Sequence, residues 1–134
     1  MATRTEAYVD TSAFIAALDR SDSRHTLYAR LFSAPPQLLT SSLVIAEGHG
    51  WFLRRYHVEK ALQFLRFIQA LSPLSVIAFE AADLAVATPL LAKFGAQKLT
   101  LADTHGLILM KRQRINACWS TDCHLGLTGV PLVR

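Results

Sequence analysis

EAYVDTSAFIAALD, residues 6–19, is the stretch on which the reading of the fold turns. EAYVD (6–10) reads as a short strand ending on Asp10, and SAFIAALD (12–19) as a helix that begins directly after it. A strand feeding straight into a helix opens a β-α-β unit, and the chain goes on alternating in the same way. SRHTLYARLF (23–32) looks helical, and QLLTS (37–41), introduced by Pro35 and Pro36, is a second strand. LVIAEGHGWFLRRY (43–56) and VEKALQFLRFIQAL (58–71) carry apolar residues at three- and four-residue spacing, the helical period. LSVIAF (74–79) is a third strand after Pro73. EAADLAVATPLLAKFG (80–95) is helical, with a kink or break expected at Pro89 and a C-cap at Gly95. TLADTHGLILMKRQ (100–113) is a helix, INACWST (115–121) a strand, and VPLVR (130–134) a last short one. Short strands that are apolar throughout suit a parallel sheet covered on both faces. The expectation is one α/β domain over residues 1–134, a three-layer α/β/α sandwich on a short-stranded parallel sheet.

The composition agrees with one globular domain. A chain of 134 residues, 51% hydrophobic and 18% charged, buries enough surface to fold without disulfides. The formal charge of +4 suits a polyanionic partner but does not require one. Cys118 lies in an apolar run and reads as a buried thiol; Cys123 and His124 have no further Cys or His at zinc-ligand spacing. MATRTEAYVD has no apolar signal-peptide core, and no window reaches the about 20 apolar residues of a membrane span, so a cytoplasmic location is expected.

Four acids carry the chemistry. In an open parallel sheet, ligands bind beyond the carboxyl ends of the strands, where the strand order reverses. Asp10 ends the first strand and Asp122 the fourth, so the two meet if those strands are neighbours. Asp103 falls in the first turn of the helix that begins near Thr100. Glu47 lies about one turn into its helix, in a stripe with Leu43, Val44, Gly50 and Trp51, a costly place for a charge. Each acid has a plainer reading: a helix cap for Asp10, a capping box with Thr100 for Asp103, an Asx turn for Asp122 and a snorkelling side chain for Glu47. Convergence of all four on one rim calls for a common cause. Carboxylates are hard ligands that suit Mg²⁺ or Mn²⁺, and such an ion can activate water against a phosphodiester. Ser12 and Thr121 flank the acids and read as groups that orient them.

At these residues the chain resembles the PIN-domain family. The resemblance runs through Asp10-Thr11-Ser12-Ala13, Glu47 in SSLVIAE, Asp103 in LTLAD and Thr121-Asp122, and spans essentially the whole chain. It implies a doubly wound α/β/α sandwich and a metal-dependent endoribonuclease acting on RNA. The size is similar to that of VapC-type toxins, which implies a homodimer blocked by a small antitoxin. RNA processing outside a toxin–antitoxin pair, or a PIN-like binding module without catalysis, are the alternatives. The Gly48-His49-Gly50 segment departs from the pattern; each glycine costs its helix about 1 kcal/mol against alanine, for which close helix packing or a local distortion would account.

Other chemistries find less support. An aspartyl-nucleophile phosphatase wants D-x-D after the first strand, and Ser12 stands in the second acid's place. GHG at 48–50 lacks the third glycine of a dinucleotide loop, and there is no P-loop. Lys111, Arg112 and Arg114 end a helix roughly 12 Å from Asp103, where cations suit the helix dipole. Lys98, just before the same helix, is the better phosphate contact. His105 and His124 read as surface or core residues near the site, and Leu62, Leu65, Phe67 and Ile68 as core or dimer face.

Overall fold

The computed structural model describes residues 4–121 and the backbone of 132–133. The chain runs β1 (Ala7–Val9), α1 (Thr11–Leu18), α2 (His25–Ser33), β2 (Leu38–Ser41), α3 (Ser42–Arg55), α4 (Val58–Ala70) and β3 (Leu74–Ile77). It continues through α5 (Asp83–Lys93), α6 (Leu101–Gln113), β4 (Cys118–Trp119) and β5 (Leu132–Val133). The strands form a sheet in the order β3-β2-β1-β4-β5, with every pairing parallel. The chain therefore builds outward from β1 in one direction, then returns to place β4 on its other side. The order reverses between β1 and β4, and the carboxyl ends of these two strands flank the crevice where such sheets bind ligands.

Side-chain alternation along the strands shows the layers. Trp119 of β4 meets Phe32 and Tyr28 of α2, with ring centroids 5.0 and 6.5 Å away. Tyr8, paired with Cys118 one position out of phase, meets Gly106 of α6 instead. Successive strand residues point to opposite faces, so α2 and α6 cover opposite sides of the sheet. The α2 side holds an aromatic core in which Phe14 of α1 lies 5.4 Å from Phe32 and 6.0 Å from Phe64 of α4. Such ring pairs add about 0.5–1.5 kcal/mol each beyond the area they bury. On the other side, every residue of α6 from Ala102 to Met110 is buried. That helix has no solvent face in its first half and is held by packing all round.

The glycines of α3 are explained unequally. A Cβ at Gly48 would stand 2.5 Å from the Phe64 ring, so this glycine lets α3 and α4 touch within one chain. A Cβ at Gly50 would meet only the tip of Arg54, and nothing in the structure explains it. Of the stripe on α4, Ile68 is buried and Leu65 and Phe67 pack against the core, while Leu62 is half-buried. Two local expectations are corrected. There is no break at Pro89, and α5 continues through it. Gly95 is not a left-handed cap; it opens a short 3₁₀ turn, Gly95–Gln97, and Lys98 takes the positive φ of 55°. Lys98 donates its N–H back to the Gly95 carbonyl, and Gly95 itself has no left-handed φ. Among the described residues no helix is long and apolar enough to cross a membrane.

Candidate active site

Asp10 follows β1 directly and sits 3% exposed at the carboxyl edge of the sheet. It is the N-cap of α1, but its bond from the Ser12 N–H is long, at 3.4 Å. The carboxylate is held mainly by hydroxyls: Ser12 donates to Oδ2 at 2.8 Å, and Ser120, which follows β4, donates to the same oxygen at 3.1 Å. The Thr121 N–H in turn donates to Ser12 Oγ at 2.9 Å. These bonds tie the ends of β1 and β4 together and fall on one carboxylate oxygen, so Oδ1 takes none of them. Burial pushes the Asp10 carboxyl up to about 6; the Ser12 hydrogen bonds oppose this, and the charge of Asp103 adds to it.

Asp103 is 6% exposed and occupies the third position of α6. It completes a capping box: Thr100 Oγ1 accepts from the Asp103 N–H at 3.1 Å, and Asp103 Oδ2 accepts from the Thr100 N–H at 3.0 Å. The capping reading is thus correct and does not exclude a second role, because a capping carboxylate keeps another oxygen. Glu47 lies half-buried on α3, and its Oε1 accepts from Thr11 Oγ1 at 2.6 Å. Asp122 lies outside the described residues, as do Cys123 and His124. Burial first, then the charges of Asp10, Cys118, Asp103 and Glu47, hold the Tyr8 hydroxyl well above its usual range. Among the described residues no three acids, histidines or cysteines form a ready-made metal cage.

Another buried aspartate shows what this arrangement lacks. Asp83, on α5, receives the Glu80 N–H at 2.8 Å and the Arg112 guanidinium at 3.1 Å. Its carboxyl is held below the usual range by that N–H first, with Arg112 and His105 helping. Among the described residues no lysine, arginine or histidine pairs with Asp10, Asp103 or Glu47. Two buried carboxylates, the charge of one acting on the other without a countercharge, suit a cation from solution, and oxygen-only donors suit Mg²⁺ or Mn²⁺ rather than a softer ion.

His105 is core. It is fully buried, with Nδ1 2.6 Å from Ser41 Oγ and Nε2 3.7 Å from Asp83 Oδ2. Ser41 Oγ already accepts from the Leu43 N–H, so its own proton is free for Nδ1. The Ser41–His105–Asp83 line looks like a nucleophile relay, but Ser41 and His105 are both 0% exposed, and no substrate reaches them. Sequence reasoning missed three residues here. Thr11 was legible inside its motif as a hydroxyl between two acids. Ser120 and Tyr8 needed the strand register. Lys98 is exposed, two residues before the α6 cap.

The PIN domain family model matches residues 7–125. The chain is similar in structure to VapC20, a sarcin-ricin-loop-cleaving toxin of Mycobacterium tuberculosis. The two share 23% identity over 96% of this chain and 99% of that one, with a TM-score of 0.86. A toxin–antitoxin complex from Klebsiella pneumoniae has a similar chain at 22% identity, covering 96% of this chain and 97% of that one, with a TM-score of 0.62. VapBC2 from Rickettsia felis, bound to promoter DNA, matches at 15% identity over 96% and 98%, with a TM-score of 0.63. No curated protein sequence matches the chain significantly.

Proposed function

The chain belongs to the PIN domain family, a family of nucleases, and from that premise we propose that it is a Mg²⁺- or Mn²⁺-dependent endoribonuclease, the toxin of a toxin–antitoxin pair. The observation that carries the reading is the pair of buried, uncompensated carboxylates, Asp10 and Asp103, at the edge where the strand order reverses. Asp10, Asp103, Glu47 and Asp122 are the proposed metal ligands and catalytic residues. The ion supplies a Lewis acid that activates water and steadies charge on the phosphodiester. Ser12 and Ser120 fix Oδ2 of Asp10, and Oδ1, which takes neither bond, is the oxygen proposed for the ion. Thr11 holds one oxygen of Glu47 in the same way, and the Thr121 N–H anchors Ser12. Lys98 is the proposed phosphate contact on the substrate RNA.

The structural relatives include a sarcin-ricin-loop-cleaving toxin and chains of toxin–antitoxin complexes, which supports the toxin reading and an antitoxin partner. A homodimer working in the cytoplasm is also proposed. Leu84 and Val86 on α5 are exposed beside an apolar groove of about 730 Å³ between α5 and α6, surface that a second copy would cover. The test is cleavage of total and structured RNA by the purified protein. Activity should require Mg²⁺ or Mn²⁺, vanish in EDTA and vanish in a folded Asp10→Asn variant. Full cleavage in EDTA, or by that variant, refutes the assignment.

A further inference from the structure

Tyr8 is 0% exposed, and among the described residues its hydroxyl has no hydrogen-bond partner. Buried hydroxyls in folded proteins are nearly always satisfied, so an orphan points to a water or ion that completes it. Its place is specific. Tyr8 lies in β1 and Asp10 follows it two residues on, still extended and bonded to Trp119 of β4, so the two point to the same side of the sheet. That face is covered by α6, where the ring and hydroxyl lie against Gly106, one turn along from Asp103. A Cβ at Gly106 would stand 2.8 Å from the Tyr8 hydroxyl oxygen. The buried helix α6 thus accepts a glycine, a poor helix former, at the position where this phenol is lodged. A phenylalanine would fill the same space and leave no orphan, so core filling alone does not account for the oxygen.

We infer that Tyr8 is a positioning residue for the cation, its hydroxyl giving a hydrogen bond to a water that enters the acid pocket with the ion. Mg²⁺ and Mn²⁺ at such sites keep part of their water shell, and a buried donor beneath the acids fixes one of those waters. The inference rests on the metal-site reading above and deepens it.

Tyr8→Phe keeps the ring under Gly106 and removes only the oxygen. Mn²⁺ binding to wild type and variant is measured by electron paramagnetic resonance titration, with thermal melts in EDTA and in Mn²⁺. The variant should melt at or above the wild-type temperature in EDTA, bind Mn²⁺ about ten-fold more weakly, and gain less from Mn²⁺ on melting. Equal Mn²⁺ affinity in the two proteins overturns the inference and makes Tyr8 a core ring. A lower melting temperature in EDTA with unchanged affinity does so too, by showing a structural bond. If wild type binds no Mn²⁺, the metal reading falls and this inference with it. RNA cleavage by wild type alongside equal affinities sinks only the role of Tyr8.

Discussion

Replacing Asp10 by asparagine should stabilise the metal-free protein above neutral pH, and the size of the effect follows from its environment. Burial raises the Asp10 carboxyl from 3.8 to about 6, roughly two units. Each unit corresponds to about 1.4 kcal/mol, so ionised Asp10 costs the folded state up to roughly 3 kcal/mol. The sign is that of a raised acid: the folded protein holds the proton more tightly than the unfolded chain. Above about pH 6 both states are ionised and the whole cost is present; below 3.8 both are protonated and it is gone. Asparagine carries no charge, and its amide oxygen can accept from Ser12 and Ser120 as Oδ2 does. Its amide nitrogen needs a new partner, which returns part of the gain. The expected stabilisation is about 1–3 kcal/mol at pH 8 in EDTA, or roughly 3–10 °C for a chain of this size. It should shrink steadily from pH 6 to pH 4. Excess Mg²⁺, at about a hundred times its dissociation constant, should return about 2.7 kcal/mol to wild type and close the gap. Calorimetric melts from pH 4 to pH 8, with and without Mg²⁺, measure all of this. A variant that melts below wild type at pH 8 in EDTA, or a difference that does not change with pH, refutes the reasoning.

Asp103→Asn should also raise the melting temperature in EDTA, by about 1 kcal/mol or more, because it removes a like charge from beside Asp10 while its amide oxygen still accepts from the Thr100 N–H; a lower value would make it chiefly a cap. Gly48→Ala should lose about 1–3 kcal/mol in urea titrations, since Phe64 is fully buried between Phe14 and Phe52 and cannot yield. Gly50→Ala, which meets only the end of Arg54, should gain up to about 1 kcal/mol from helix propensity; matching effects at both positions would discredit the packing account. Light scattering at high micromolar concentration should report a dimer, and Leu84→Glu on α5 should shift it toward monomer without loss of the fold.

The elements were legible because β1 to β3 and all six helices announce themselves by period and punctuation, and their observed bounds differ by a few residues. The sheet order was not legible, since nothing local in INACWST says which strand it joins; only the pairing of β4 with β1 brings Ser120 onto Asp10. The capping box at Thr100 was readable from a three-residue spacing, because both partners are local. The Thr11–Glu47 and Ser41–His105 bonds span 36 and 64 residues and leave no local trace. Gly95 misled because a glycine after a helix is a common left-handed cap, and here the following 3₁₀ turn moved that conformation to Lys98. Gly48 stood out in the sequence only as an unexplained glycine, and Gly106 did not stand out at all; each is explained by a ring from another element, Phe64 and Tyr8.

The contrast between Asp83 and Asp10 bears on how a basic chain would handle RNA. With a formal charge of +4, this protein has cations to place, and it sets Arg112 against Asp83. Among the described residues it sets none against Asp10, Asp103 or Glu47. A lysine or arginine there would relieve the buried charge and fill the place a metal needs. Left uncompensated, the acids repel a phosphodiester as well as one another. A metal-free site would therefore hold RNA poorly however basic the surrounding surface. On the proposed reading a divalent ion would set two things together, the stability of the rim and the sign of the potential that a phosphate meets. Diffuse positive charge draws the polyanion toward the protein, with the salt dependence such contacts show, while the loaded acid pocket decides whether the backbone can settle over Asp10. Binding and cleavage should therefore separate cleanly. Salt should weaken RNA association in wild type and in Asp10→Asn alike, whereas chelation should abolish cleavage and leave most of that salt-dependent association in place.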